Sequence, residues 1–123
     1  CKEAAPDREV IALLGDGSLG MTLGELETIS REKLHVIVIL VNDDAYGNIK
    51  QEEKFKTGTE NYIGVEFPSI DYVRVAEALG YNGTIVRKAS EIPQAMEAAR
   101  ASDKPFMIEV KLDGSYTVWP SCF

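Results

Sequence analysis

The sequence predicts an α/β domain: an open, mostly parallel sheet with helices on both faces. Three observations carry that reading. Strand-like and helix-like segments alternate along the chain, as parallel βαβ units require. The strand-like segments are continuous apolar runs, the pattern of strands covered on both faces. The chain has 123 residues, which fits one domain and leaves no room for two.

Val10-Ile11-Ala12-Leu13-Leu14 runs into a glycine cluster and reads as a first strand buried on both faces. From Leu19 the period changes. Leu19, Leu23, Leu26 and Ile29 recur at helical spacing, with Glu25, Glu27, Arg31 and Lys33 on the other side. Glu27 and Arg31 stand one turn apart and are placed to pair. Val36 to Val41 is a second buried strand, rich in β-branched residues. A short helix is expected from Tyr46-Gly47 to Lys54. Lys54 to Pro68 lacks periodicity, as a lid or binding loop does. Tyr72, Val75, Ala76 and Leu79 form a helical stripe that Gly80 ends. Thr84-Ile85-Val86 is a short strand, and Ser90 is expected to cap a helix striped by Ile92, Ala95, Met96 and Ala99. Phe106 to Leu112 is the last strand, between Pro105 and Gly114. The opening Cys1-Lys2-Glu3-Ala4-Ala5 reads as the end of a helix, so 1–123 is expected to be one domain truncated at its N-terminus.

Apolar residues make up 45% and charged residues 27%, the balance of an ordinary globular protein. A chain of this length buries about two-thirds of its unfolded surface and needs no metal or disulfide staple. The net charge of −7 argues against nucleic acid, because neutralising phosphates takes surplus Lys and Arg. The apolar run Val36 to Val41 falls far short of the roughly 20 residues that span a bilayer. No secretory leader pattern opens the chain, and a cytoplasmic location is expected. Cys1 and Cys122 lack metal or disulfide-framework spacing and read as incidental. Asn82-Gly83-Thr84 matches a glycosylation acceptor but reads better as a turn. His35 reads as a strand-boundary residue, and Lys50, Lys54 and Lys56, interleaved with Glu52 and Glu53, as a solvated helix face. Tyr62 and Phe67 suit either a substrate pocket or a packed loop.

The chemistry gathers at two strand ends. Ligands of open parallel sheets bind outside the carboxyl ends of the strands. The first such end reads Gly15-Asp16-Gly17-Ser18-Leu19-Gly20 and the second Asn42-Asp43-Asp44-Ala45-Tyr46-Gly47. Each leads into a helix, offering unpaired N–H groups and a positive dipole end to an anion. Gly15, Gly17 and Gly20 match the dinucleotide fingerprint, with Asp43 placed as the ribose acid. Against that stands Asp16, whose carboxylate inside the phosphate loop would repel a pyrophosphate. Two oxygen ligands facing a phosphate loop describe a Mg²⁺ site completed by the ligand's phosphates and water. The plainer alternative makes Asp16 and Asp43 helix caps.

Gly15-Asp16-Gly17 is followed after 24 residues by Asn42-Asp43. This pair resembles the diphosphate-binding motif of thiamine diphosphate enzymes, a GDG and, after a spacer of this length, two Asn, often varied to Asn-Asp. Met21-Thr22-Leu23-Gly24-Glu25-Leu26, Tyr46-Gly47 and the closing Phe106-Met107-Ile108-Glu109-Val110 are similar to the acetolactate synthase, benzoylformate decarboxylase and pyruvate decarboxylase group.

The resemblance implies the thiamine diphosphate-binding fold and a role in decarboxylating or ligating 2-oxo acids. It implies that the side chains of Asp16 and Asp43 and the carbonyl of Ala45 bind Mg²⁺. Gly17 and Ser18, with the N–H groups around Tyr46 and Gly47, would donate to the diphosphate, and Asn42 would brace the loop. Asp43 stands where the family more often has Asn, adding a negative charge that should raise metal affinity. The family's activating Glu lies on a separate pyrimidine-binding domain, so that domain, in cis or on another chain, and a homo-oligomer are implied partners. The isolated chain is expected to bind the cofactor but not turn over.

Overall fold

A computed structural model of the protein describes residues 2–113, so Cys1, Gly114 and Cys122 lie outside the described residues. The elements run β1 (Ile11–Gly15), α1 (Asp16–Thr22), α2 (Gly24–Arg31), β2 (Ile37–Asn42), α3 (Gly47–Thr57), α4 (Tyr72–Ala78), β3 (Asn82–Val86), a 3₁₀ turn (Ala89–Glu91), α5 (Ile92–Ala101) and β4 (Phe106–Lys111). The four strands form one sheet in the order β1-β2-β4-β3, and every pairing is parallel. Leu19 of α1, Leu26 of α2 and Val73 and Ala76 of α4 pack with Val38, Leu40 and Met107 on one face. Ala95 and Ala99 of α5 pack with Ile37, Val86, Phe106 and Ile108 on the other. The expected architecture, a parallel sheet between helices, is present.

Several expected details change. β1 is an edge strand, and only the side carrying Ala12 and Leu14 meets the α1 face of the core. Its other side is open, with Ile11 43% and Leu13 70% exposed, so the expectation of burial on both faces fails there. The helix expected to start at Leu19 is two helices, beginning at Asp16 and broken at Leu23. Gly24, a weak helix former, follows the break, and Leu26 N donates to Leu23 O at 3.2 Å in a tighter turn. α3 continues past Lys54 to Thr57, where left-handed Gly58 closes it by donating to Lys54 O. It buries none of its residues, so no apolar stripe marks its end.

Ser90 lies inside the 3₁₀ turn and does not cap α5; instead, the Glu91 carboxylate accepts from Arg87 N at 2.9 Å and Lys88 N at 3.2 Å. Asn82-Gly83-Thr84 is strand, not turn. A Cβ at Gly83 would stand 2.9 Å from Val73 Cγ1 and 3.0 Å from Met107 O, so this glycine serves the close approach of α4. Residues 2–4 form a turn, not a helix end, and Lys2 Nζ bonds the carbonyls of Pro6 and Arg8. Among the described residues no helix is long and apolar enough to cross a membrane.

Candidate functional site

Gly15 leaves β1 in an extended conformation, φ −86° and ψ 163°, and the chain winds at once into α1. Asp16 therefore sits at the carboxyl edge of the sheet, only 2% exposed. Its Oδ1 accepts from Gly17 N at 2.9 Å and its Oδ2 from Ala45 N at 3.1 Å. Burial pushes the Asp16 carboxyl above its usual range, and the nearby Asp43 charge adds to the rise; the Gly17 and Ala45 amides offset part of it. The two predicted acids thus meet electrostatically.

The second strand end is built by a turn. Asn42 ends β2 fully buried, and its Oδ1 accepts from Asp44 N at 2.9 Å. Asp44 takes a left-handed conformation, φ +54°. Ala45 then bridges Glu66: Tyr46 N donates to Val65 O at 2.8 Å, and Phe67 N donates to Asp44 O at 2.7 Å. The segment expected to be a structureless loop is clamped here to the site. α3 begins at Gly47 directly after it.

Two expected anion donors are already engaged. Gly17 N serves Asp16, and Tyr46 N serves Val65. Ser18 and Gly47 stand in the first turns of α1 and α3, whose N–H groups have no partner within a helix. Gly17 has a further reason to be glycine. A Cβ there would lie 2.5 Å from Tyr46 Cδ1, and the Tyr46 ring meets Phe67 edge-on at 4.6 Å between centroids. Asp16, Gly17, Met21, Tyr46, Phe67 and Tyr72 line a cleft of about 250 Å³. A larger cavity of about 400 Å³ between β3 and α5 is lined by Arg87, Glu91 and Gln94, and Glu91 is spent there as a cap.

Beneath the second strand end lies a polar network not assigned from the sequence. Glu109, in β4, is 0% exposed. Its Oε1 accepts from Asn42 Nδ2 at 2.7 Å and faces Lys111 Nζ at 3.0 Å, while its Oε2 accepts from Val73 N at 3.3 Å. Lys111 Nζ also reaches Asp44 Oδ1 at 3.5 Å and Ile70 O at 3.4 Å. The sequence held one signal: a lone acid inside the apolar run Phe106 to Val110.

The remaining residues behave as surface or packing groups. Lys50 pairs with Glu66 at 2.7 Å and lies 4.9 Å from the Tyr62 ring centroid. Lys54 pairs with Glu60, Lys56 with Glu52, and Arg31 with Glu27. These exposed pairs each contribute little. His35 precedes β2, at the opposite end of the sheet from the cleft.

Among the described residues no three His, Cys, Asp or Glu side chains cluster to cage a metal. The dinucleotide reading does not hold. It requires its third glycine for tight helix–strand packing, whereas a Cβ at Gly20 would meet nothing within 4 Å.

Comparison with known proteins points the same way. Residues 1–110 match the family described as thiamine pyrophosphate enzyme, C-terminal TPP binding domain. A pyruvate oxidase of Lactiplantibacillus plantarum is 33% identical over 89% of this chain and 18% of its own length. The acetolactate synthase isozyme 2 large subunit of Escherichia coli is 27% identical over 95% of this chain and 21% of its own length. The structure of a thiamine diphosphate-dependent 4-hydroxybenzoylformate decarboxylase from Rhodococcus jostii RHA1 superposes with a TM-score of 0.81 at 34% identity, covering 93% of this chain and 22% of that one. The chain thus spans about a fifth of the length of the proteins it matches. It belongs to the C-terminal thiamine pyrophosphate-binding domain family of the thiamine pyrophosphate enzymes.

Proposed function

We propose that this chain is the Mg²⁺–thiamine diphosphate-binding domain of a longer 2-oxo acid decarboxylase or carboligase, acetolactate synthase-like in kind. The observation that carries this reading is the Asp16 carboxylate, buried between two amides with the charge of Asp43 acting on it. Buried negative charge is costly without a counter-charge. A divalent cation between these acids and a diphosphate removes that cost. The side chains of Asp16 and Asp43 and the carbonyl of Ala45 would hold the cation. Gly15 provides the turn, the amides at Ser18 and Gly47 meet the diphosphate, and Asn42 braces the loop.

When bound, thiamine diphosphate would supply a thiazolium able to stabilise the negative charge that develops at the 2-oxo acid's own keto carbon. This chain anchors and orients. Tyr46 and Phe67 wall the cleft, and Asp16 and Asp43, taken by the cation, leave the proton-transfer role unfilled. That role falls to a pyrimidine-binding domain, in cis or on another chain, within a homo-oligomer. The exposed apolar side chains Met21, Ile49, Phe55 and Ile63 support such a covering partner.

Thermal denaturation tests the ligand assignment. Thiamine diphosphate is expected to raise the melting temperature only with Mg²⁺, by the equivalent of about 2.7 kcal/mol at a hundredfold excess over Kd. A rise with NAD alone, or with thiamine diphosphate in EDTA, overturns it. The purified chain is also expected to exchange the cofactor's C2 proton no faster than buffer does, because Asp16 and Asp43 are committed to the cation. Exchange above the buffer rate, followed by proton NMR in deuterated solvent, would place an activating group within this chain.

A further inference from the structure

We propose that Glu109 and Lys111 are positioning residues for the cation end of the cleft, a role that rests on reading that end as a cation–diphosphate site. Together they hold the Asn42–Asp44 turn in the shape that brings Asp43 and Ala45 beside Asp16.

Three donors converge on one buried carboxylate. Asn42 Nδ2 at 2.7 Å and Lys111 Nζ at 3.0 Å meet Oε1 of Glu109, and Val73 N at 3.3 Å meets Oε2. The two carboxylate oxygens offer acceptor sites enough for all three. An ion pair buried in a sheet is weak support for a fold, since apolar side chains of similar volume often stabilise as well or better. An apolar side chain would not, however, hold Asn42. With Nδ2 fixed by Glu109, the Asn42 amide presents Oδ1 to Asp44 N at 2.9 Å. That bond supports the left-handed Asp44, φ +54°, a conformation a non-glycine residue keeps only where its surroundings impose it. Lys111 Nζ reaches Asp44 from the other side, Oδ1 at 3.5 Å. One residue further on, Ala45 N meets Asp16 Oδ2 at 3.1 Å. A continuous run of contacts therefore joins the start of α4 and the interior of β4 to Asp16.

The charges follow the same logic. Asp16, Asp43, Asp44 and Glu109 gather near this strand end, and Lys111 neutralises within the network what a buried Glu109 would otherwise add.

Mg²⁺ titration of the full chain with saturating thiamine diphosphate, by calorimetry, tests the role. Glu109→Gln keeps the shape but offers one acceptor oxygen to three donors. It is expected to raise the Mg²⁺ half-saturation concentration about 10- to 100-fold, the usual effect of losing a group that orients a metal ligand. Lys111→Met should act in the same direction, and Lys111→Arg, which keeps the charge, should restore part of the loss. In the ligand-free chain, Glu109→Gln and Lys111→Met should also speed hydrogen exchange at the Asp44 and Ala45 amides. Folded variants that lower the melting temperature yet bind Mg²⁺ within about twofold of wild type, well below that range, would overturn the assignment. So would unfolding of both Glu109→Gln and Lys111→Met, which would make the network a folding element. A wild-type chain that binds no Mg²⁺ with thiamine diphosphate overturns the site reading instead, and exchange at the Asp44 amide still reports on the turn.

Discussion

Asp16→Ala is expected to abolish Mg²⁺-dependent thiamine diphosphate binding while leaving the chain folded. With Asp16 read as a direct cation ligand, the effect should exceed the roughly 10- to 100-fold that follows loss of an orienting group. Two contributions to stability oppose each other. The substitution leaves the Gly17 and Ala45 amides without their acceptors at 2.9 and 3.1 Å, a loss of about 1–3 kcal/mol for each donor that stays buried. It also relieves the burial of a charge that Asp43 repels. The raised carboxyl pKa gives the sign. A folded-state value above the unfolded one means the ionised group lowers stability at neutral pH and lowers it less as the pH falls towards the acid range. The ligand-free variant should therefore melt within about one kcal/mol-equivalent of wild type, a few degrees for a domain of this size. Calorimetry with Mg²⁺ and thiamine diphosphate, paired with a ligand-free melt, reads both quantities. Unfolding of Asp16→Ala would make the residue a structural helix start, and retained binding would remove it from the cation site.

How far the sequence reveals this arrangement depends on what each residue type encodes. Val36 to Val41 is unbroken and β-branched at every position but Leu40, and it could be read directly as a strand covered on both faces. β1 looks the same in sequence, yet it is the sheet edge, since a run of apolar residues does not say which strands flank it. The site's outline was legible through Gly15-Asp16-Gly17 and Asn42-Asp43, where residue type and spacing describe chemistry directly. Its wiring was not. The Ala45–Glu66 bridge joins segments with no shared periodicity, and the Glu109–Asn42 bond spans 67 residues. A charged residue inside an apolar run signals a buried partner without naming it. Gly17 looked like a phosphate-loop glycine, and only the placement of the Tyr46 ring shows the second constraint on it.

That constraint makes Gly17→Ala the sharpest probe of the cleft wall. The added Cβ would stand 2.5 Å from Cδ1 and 2.7 Å from Cε1 of Tyr46, so the ring must move. Its freedom is limited, because the ring abuts Phe67 and the Tyr46 amide is tied to Val65 at 2.8 Å. Overpacking of this kind costs about 1–3 kcal/mol. Alanine in place of glycine within α1 returns up to about 1 kcal/mol of helix propensity. The net loss of stability should be modest, while the displaced ring enters a cleft of only about 250 Å³. Thiamine diphosphate affinity measured with Mg²⁺ is expected to fall about tenfold or more, which corresponds to at least about 1.4 kcal/mol. A double-mutant cycle with Tyr46→Ala isolates the cause. With the ring removed, Gly17→Ala should become neutral or stabilising and should cost little further affinity. An equal loss of affinity in both backgrounds would mean that the new methyl group meets the diphosphate itself, and the role assigned to Tyr46 would fall.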